Sequence, residues 1–208
     1  MSRYLIEQAM ACQQPEGWLS DMSTAKLVRP ETRPQHLEGE GREAAVMLLI
    51  FPGQHGSLCS VLTRRQDSLQ HHPGQVSLPG GGREQGESLE QTALRETEEE
   101  LGVDRNSIEV LGTLNQIYIP PSDFTVTPFV GWLSSEPAFV IQTQEVAELI
   151  RFRLTSVMEK SAKRLSSVDS DTKDRDVPWF SIEDQQVWGA TAMILDDFGQ
   201  RLRKVQPS

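Results

Sequence analysis

A glycine-rich turn followed by an acidic helix is the feature that most restricts how this chain can fold. The turn contains Gly80-Gly81-Gly82. Ser88 and Gln91 have the spacing of a capping box, which begins a helix, and Gly102 suits the left-handed residue that ends one. The pattern predicts a helix over residues 89–101. Two properties of this arrangement are typical of phosphate binding. They are the amides at the N-terminus of the helix and the close backbone approach that glycine permits.

Two faces of this helix differ in chemistry. The face we expect to be buried carries Leu89, Ala93, Thr97 and Leu101. Another face carries Glu96, Glu99 and Glu100, and like charges at this spacing destabilise a helix by a few tenths of a kcal/mol. A divalent cation reverses that effect, and oxygen ligands favour Mg²⁺ or Mn²⁺. Arg95 precedes Glu99 by four residues and can hold its carboxylate. The alternative is an ordinary solvated face.

The folded core is predicted to begin near residue 44. Residues 44–51 form an almost continuous apolar run, and residues 57–64 form a second strand candidate after the turn at residues 53–56. The two segments therefore predict a hairpin. Upstream, we expect a helix over residues 2–12 and an extended arm reaching residue 43. The chain thus divides into residues 1–43, a helix and an arm, and residues 44–208, the main domain.

The second half of the chain predicts further strands and a final helix. Residues 145–153 are ambiguous, and the polar residues 160–176 predict a mobile loop. The remaining elements are strands over residues 108–119, 124–133 and 177–182, with a turn at residues 120–123, and a helix over residues 188–205.

Composition excludes several classes of protein. The net charge of −10 argues against binding to nucleic acid, because the field of the protein repels phosphates. No apolar run approaches the roughly 18 residues of a membrane span. Cys12 and Cys59 lack the spacing of a zinc site or a disulfide framework. We therefore expect a cytoplasmic protein without a membrane or nucleic-acid partner, in which any phosphate ligand is bound with the help of cations.

The helix and the turn together resemble the Nudix box, GX5EX7REUXEEXGU, in which U is a bulky aliphatic residue. Thr97 is the one departure, at a U position. The matching residues are Gly81, Glu87, Arg95, Glu96, Glu99, Glu100, Gly102 and Val103. The resemblance implies an α/β fold with a mixed β-sheet sandwiched between α-helices, and divalent-metal hydrolysis of a nucleoside diphosphate linked to another group.

The same resemblance implies roles for individual residues. Glu96, Glu99 and Glu100 resemble the metal ligands, and the carbonyl of Gly81 is a further candidate. Arg95 and Glu87 resemble supports for those ligands. The residue that accepts the proton is left open by the sequence, which offers Glu99, Glu145 and Glu148, since only geometry places a base within reach of a water molecule.

The segment from Leu62 to Gly81 resembles LLTxRSxxLRxHxGQVSFPGG, the motif of the coenzyme A pyrophosphatase subgroup. This implies hydrolysis of coenzyme A to 3′,5′-ADP and 4′-phosphopantetheine. Gln66, Gln70 and Leu78 depart from the motif, and the missing cation at Gln70 counts against coenzyme A, whose 3′-phosphate suits an arginine. The substrate-binding candidates are Arg64, Arg65, His72, Gln75, Ser77 and Gly80.

Two other functions stay open. One is a Nudix hydrolase that acts on ADP-ribose, NADH or a nucleotide sugar. The other is a binding module of the same fold without catalysis, which the complete set of box carboxylates argues against. A homodimer is a further expectation, because dimers are common among such enzymes, but the sequence does not determine the oligomeric state.

Overall fold

The computed structural model describes residues 1–12, 41–68, 74–159, 163–167 and 176–206. The helices are α1 (Arg3–Ala11), α2 (Leu89–Leu101) and α3 (Gly189–Val205). The strands are β1 (Arg42–Pro52), β2 (Leu58–Arg65), β3 (Val76–Ser77), β4 (Gly80–Gly82), β5 (Glu109–Thr113), β6 (Ile117–Ile119), β7 (Phe124–Trp132), β8 (Val146–Arg153), β9 (Lys163–Ser167), β10 (Asp176–Ile182) and β11 (Gln185–Trp188). Single 3₁₀ turns occupy Gln54–Gly56, Arg105–Ser107, Pro120–Ser122 and Leu154–Val157.

Strand β1 lies at the centre of a mixed sheet. It pairs in parallel with β7 along nine residues, from Arg42 opposite Phe124 to Ile50 opposite Trp132. It pairs in antiparallel fashion with β2 and β4. Strand β2 in turn pairs with β3 and β8, and β7 pairs with β5 and β6. Strands β9, β10 and β11 form a separate antiparallel sheet.

The continuous apolar run in β1 is explained by burial on both faces of the sheet. Met47 and Leu49 pack in one cluster with residues of α2, whereas Leu48 and Ile50 pack in another with residues of α1 and α3. A strand covered on both sides needs apolar residues at every position, because its side chains alternate between the faces. The predicted mixed sheet between helices is confirmed.

The structure confirms the predicted limits of α2. The Ser88 hydroxyl accepts a hydrogen bond from the Gln91 amide, and the Gln91 side chain accepts one from the Ser88 amide, which completes the capping box. Gly102 ends the helix in the left-handed conformation, at φ 68°. The capping residues therefore define where the helix that carries the acidic residues begins and ends.

Several predicted elements differ from the observed ones. The hairpin of β1 and β2 is confirmed, but the single strand expected over residues 108–119 is divided into β5 and β6. The ambiguous residues after 145 form β8, which pairs with β2. The prediction of a loop over residues 160–176 was wrong for β9, which pairs with β10. Backbone hydrogen bonds form this pairing, and a polar composition does not prevent them.

The N-terminal helix α1 packs on the main domain. Ile6 and Ala9 are fully buried in the same cluster as residues of α3. Next to the end of α1, Arg201 forms a buried ion pair with Asp197 at 2.9 Å. It also donates a hydrogen bond to the carbonyl of Cys12. The expected extended arm falls mostly on residues 13–40, which lie outside the described residues, so the boundary at residue 43 stays a prediction.

Within the described ranges, no helix combines the length and the apolar composition that crossing a membrane requires.

Candidate active site

A cavity of about 590 Å³ opens beside α2. Its walls come from the glycine strand β4, the exposed face of α2, the end of β2 and the loop before β8. The lining residues are Arg65, Gly80, Gly81, Gly82, Glu84, Arg95, Glu96, Glu99, Glu100, Gln142 and Glu145. Five carboxylates thus face two guanidinium groups across one polar space.

Arg95 connects three of the box carboxylates. Its Nε donates to Glu87 at 2.8 Å, and its Nη1 donates to Glu96 at 2.8 Å and to Glu99 at 2.9 Å. Its Nη2 donates to the carbonyl of Gly82 at 3.3 Å. The side chain is only 12% exposed. Arg95 therefore fixes the directions in which these carboxylates point.

These contacts shift the acidity of the groups around Arg95. Its hydrogen bond lowers the pKa of Glu87 to about 2, so Glu87 is a carboxylate at any physiological pH. The pKa of Glu96 is raised, because burial outweighs the favourable contact with Arg95. The pKa of Arg95 is raised, chiefly by its hydrogen bond with Glu87, so its charge is permanent.

Glu100 lies deepest in the cavity. It is 5% exposed, and its Oε2 is buried without a hydrogen-bond partner in the described part of the chain. Burial and the nearby charge of Glu96 raise the pKa of Glu100 to about 8, although the positive charge of Arg65 opposes the shift. A buried carboxylate oxygen without a partner is costly, and a cation is one group that satisfies it.

The glycines of β4 allow the backbone to approach α2. A Cβ atom on Gly81 would overlap the carboxylate of Glu96. Gly80 has φ 152°, and a Cβ atom there would overlap the backbone of Ala45 on β1. A Cβ atom on Gly82, in contrast, would make only an ordinary contact with Phe124 at 3.9 Å. Gly81 therefore provides the space in which Glu96 lies.

The residues present suit a hard divalent cation, because every candidate ligand is an oxygen. Among the described residues, however, no three His, Cys, Asp or Glu side chains converge in the arrangement that holds a metal ion. Arg95 instead donates hydrogen bonds to both Glu96 and Glu99. The unpartnered oxygen of Glu100 is the observation that favours a cation here.

The loop before β8 is joined to the end of α2. The amide of Val140 donates to the carbonyl of Leu101 at 2.9 Å, and the amide of Gln142 donates to the carbonyl of Glu100 at 3.0 Å. These carbonyls belong to the last helical turn and have no acceptor role within α2. The loop thereby brings Glu145 to the cavity.

The structure brings together most of the residues proposed from the sequence. The cavity contains Arg65, Gly80, Gly81, Arg95, Glu96, Glu99, Glu100 and Glu145. Of the others, His72 is outside the described residues. The described positions that do not line the cavity are Arg64, Gln75, Ser77 and Glu148.

Two of these residues have other partners. The Arg64 side chain donates to Glu148 at 3.4 Å and pairs with Asp67 at 3.2 Å.

Glu84 and Gln142 line the cavity but were missed by the sequence analysis. Glu84 occupies a variable position of the box, and Gln142 lies outside both motifs, three residues before the candidate Glu145.

Comparisons with known proteins agree with this geometry. A sequence profile described as the NUDIX domain matches residues 41–185. The chain is 35% identical to an uncharacterized Nudix hydrolase, NudL, of Pectobacterium atrosepticum, over 80% of this chain and 84% of that protein. It is 31% identical to Nudix hydrolase 3 of Caenorhabditis elegans, over 86% of this chain and 81% of that protein.

A solved structure supports the fold in the same way. The crystal structure of the MutT protein from Methanosarcina mazei Go1 superimposes with a TM-score of 0.52, over 81% of this chain and 96% of that one, at 18% identity. Enzymes with this domain bind nucleotides and generally use divalent metal cations. The chain therefore belongs to the Nudix family and is a pyrophosphohydrolase of nucleotide substrates.

Proposed function

We propose that this enzyme hydrolyses the diphosphate of coenzyme A to 3′,5′-ADP and 4′-phosphopantetheine, with Mg²⁺ or Mn²⁺. One observation carries the proposal. The segment over residues 62–81, which resembles the coenzyme A pyrophosphatase motif, contributes residues to the wall of the cavity. Its Arg65, Gly80 and Gly81 all line that cavity. The proposal thus joins the motif to the candidate active site.

The cation ligands in this proposal are the carboxylates of Glu96, Glu99 and Glu100 with the carbonyl of Gly81. A bound divalent cation offsets the negative charge of a diphosphate and makes water more acidic. Glu100 is held in place by burial and by a hydrogen bond from the amide of Gly80. Arg95 orients Glu96 and Glu99 through its hydrogen bonds.

Arg65 is the protein group suited to the substrate phosphates. It lies at the end of β2, lines the cavity and has a buried Nε without a hydrogen-bond partner in the described residues. A guanidinium group is a good partner for phosphate oxygens, because its planar set of donors can bind two oxygens at once. In a cavity wall that is otherwise rich in carboxylates, Arg65 therefore attracts the anionic substrate and orients it.

Glu145 is the group that we assign to proton transfer. The oxygen of water attacks one phosphorus, the bond from that phosphorus to the bridging oxygen breaks, and the proton of the water passes to a carboxylate. Glu145 lines the cavity and is exposed, whereas Glu148 pairs with Arg64. Glu99 already accepts a hydrogen bond from Arg95. A base must be free to reach the water, and Glu145 meets that condition best.

The decisive test is a substrate panel assayed with Mg²⁺ and with Mn²⁺. Coenzyme A, dephospho-coenzyme A, ADP-ribose, NADH and a nucleotide sugar are compared by kcat/KM, with the products identified by mass. We expect coenzyme A to be the best substrate and to release 3′,5′-ADP. Preference for ADP-ribose, NADH or a nucleotide sugar contradicts the substrate and leaves diphosphate hydrolysis intact.

A variant tests recognition of the 3′-phosphate. Gln70→Arg restores the cation of the motif. It is expected to raise kcat/KM for coenzyme A and to leave dephospho-coenzyme A, which lacks this phosphate, unchanged. An equal change for both compounds contradicts a contact between position 70 and the 3′-phosphate.

A further inference from the structure

We infer that Gln66 is a positioning residue that holds Glu145 at the cavity. The inference rests on the proposed function for the role of Glu145 in proton transfer. Gln66 follows β2 directly and is half-buried. Its side-chain Nε2 donates to the carbonyl of Thr143 at 2.9 Å, and its backbone amide donates to the carbonyl of Glu145 at 2.8 Å. One residue thus binds both ends of the three-residue segment that carries Glu145.

Gln66 adds contacts with the β2 side to a loop that also bonds to α2 and has hydrogen bonds of its own. The hydrogen bonds from Val140 and Gln142 to the end of α2 fix where the loop begins. Residues 143–145 then form a turn before β8, in which the amides of Glu145 and Val146 donate to the carbonyl of Gln142 at 3.1 and 2.8 Å. Gln66 supplies the second anchor, on the β2 side. Contacts with both α2 and β2 therefore restrict the position and the direction of the turn that carries Glu145.

This second anchor lies beside an irregularity in strand pairing. Along β2 and β8, Arg64 lies opposite Glu148 but Arg65 lies opposite Val146, so Ala147 is an extra residue that forms a β-bulge. A bulge interrupts the hydrogen bonds of a sheet and redirects the strand, and bulges are common beside active sites. Beyond the bulge, the backbone contact ends with the hydrogen bond from the Gln66 amide to Glu145, and the side chain of Gln66 extends it to Thr143.

The contact with Thr143 depends on the length of the side chain at position 66. The motif of the coenzyme A pyrophosphatase subgroup has serine at this position. A serine side chain is two heavy atoms shorter than that of glutamine and has no amide donor. The contact with Thr143 is therefore a property of this chain that the motif does not supply.

The activity test is a double-mutant cycle of Gln66→Ala and Glu145→Gln, assayed with Mg²⁺ on whichever of coenzyme A, ADP-ribose and NADH the wild-type enzyme hydrolyses. We expect Gln66→Ala to lower kcat by about tenfold with KM changed less than about twofold, since small misplacements of a catalytic group act on the transition state. In the Glu145→Gln background, the same change is expected to have less than about a twofold effect, because the two residues act as a unit. Equal effects in both backgrounds overturn the inference.

Gln200→Ala is the matched control. Gln200 also donates one side-chain hydrogen bond at 2.9 Å, to Asp196 on α3, far from the cavity. This variant is expected to keep the wild-type kcat. If it loses as much activity as Gln66→Ala, the effect reports a general loss of stability, and the inference fails.

Hydrogen exchange separates the inference from the proposed function. Peptides that cover residues 139–147 are followed in wild type, Gln66→Ala and Gln200→Ala without substrate. We expect faster exchange in Gln66→Ala alone, and unchanged exchange overturns the positioning role whatever the activities are. If exchange rises but Glu145→Gln keeps the wild-type kcat, then the role of Glu145 in the proposed function is wrong, and the catalytic effect of Gln66 falls with it.

Discussion

Arg95 Nε lies 2.8 Å from Glu87 Oε1, and this contact fixes the orientation of the whole guanidinium group. The group is planar, so a bond at Nε determines where Nη1 and Nη2 point. Nη1 is the atom that contacts Glu96 and Glu99. Glu87 therefore controls the spacing of two candidate metal ligands that it does not touch.

The first prediction concerns this contact. Glu87→Gln removes the charge that anchors Arg95, so we expect kcat to fall by about tenfold while the fold is kept, in line with losses on mutating residues that support metal ligands. Steady-state kinetics and thermal unfolding measure the two effects. Glu90→Gln, at an exposed position on the first turn of α2, is the control and is expected to stay near wild type. Equal losses in both variants contradict a specific role for Glu87.

The second prediction compares neighbouring glycines. Gly81→Ala places a methyl group on the Glu96 carboxylate, which is the flexible end of a side chain. We expect stability within about 1 kcal/mol of wild type, since alanine there needs no strained φ, but at least a tenfold loss of kcat. Gly82→Ala makes only an ordinary contact at 3.9 Å and should keep most activity. Gly80→Ala should unfold at a lower temperature than either, because of its φ of 152°.

The third prediction concerns Glu100. Glu100→Gln keeps the shape of the side chain but removes its negative charge. We expect kcat to fall by orders of magnitude with little change in fold, and Mn²⁺ binding measured by calorimetry to weaken in parallel. Near-normal turnover would overturn the assignment of Glu100 as a metal ligand.

The fourth prediction gives the pH dependence of stability for the metal-free protein. Burial raises the pKa of Glu100 from 4.5 to about 8, so the folded state keeps the proton more tightly than the unfolded state. The stabilising effect of neutral Glu100 is complete below pH 4.5 and is lost as pH rises towards 8. Thermal unfolding in EDTA is therefore expected to show the melting temperature of wild type falling, relative to Glu100→Gln, between pH 5 and 8. A constant difference contradicts the raised pKa.

The fifth prediction distinguishes Glu145 from Glu148. Glu145→Gln is expected to lower kcat by about 100-fold or more, as the removal of a general base does. Glu148→Gln loses only its contact with Arg64 and is expected to stay within about threefold of wild type. The kcat values of the two variants, measured at saturating substrate, decide between them. The reverse order would assign proton transfer to Glu148.

The sequence predicted the parts of the site that depend on local chemistry. The limits of α2 follow from Ser88, Gln91 and Gly102, and the contact of Arg95 with Glu99 follows from their spacing along one helix. The contact of Arg95 with Glu96 was not predicted, because adjacent helical residues point in different directions. It forms because Gly81 leaves space for the Glu96 carboxylate to turn towards Arg95.

The remaining parts depend on contacts between distant segments. Arg65 and Glu145 meet at the cavity because β2 pairs with β8, and β8 lies in a stretch that the sequence left ambiguous. The depth of Glu100 likewise depends on what covers α2, which no pattern within the helix shows. Strand β9 was missed because pairing with β10 through the backbone leaves no mark in side-chain composition.

The pairing of β2 with β8 has a consequence for synthesis on the ribosome. Helix α2 emerges early and carries its own start and stop residues. The opposite wall of the cavity closes only when the chain as far as Arg153 has been translated and released from the exit tunnel. Until then the acidic residues of α2 lack this wall, and the newly made polypeptide carries the candidate metal ligands before the cavity around them is complete.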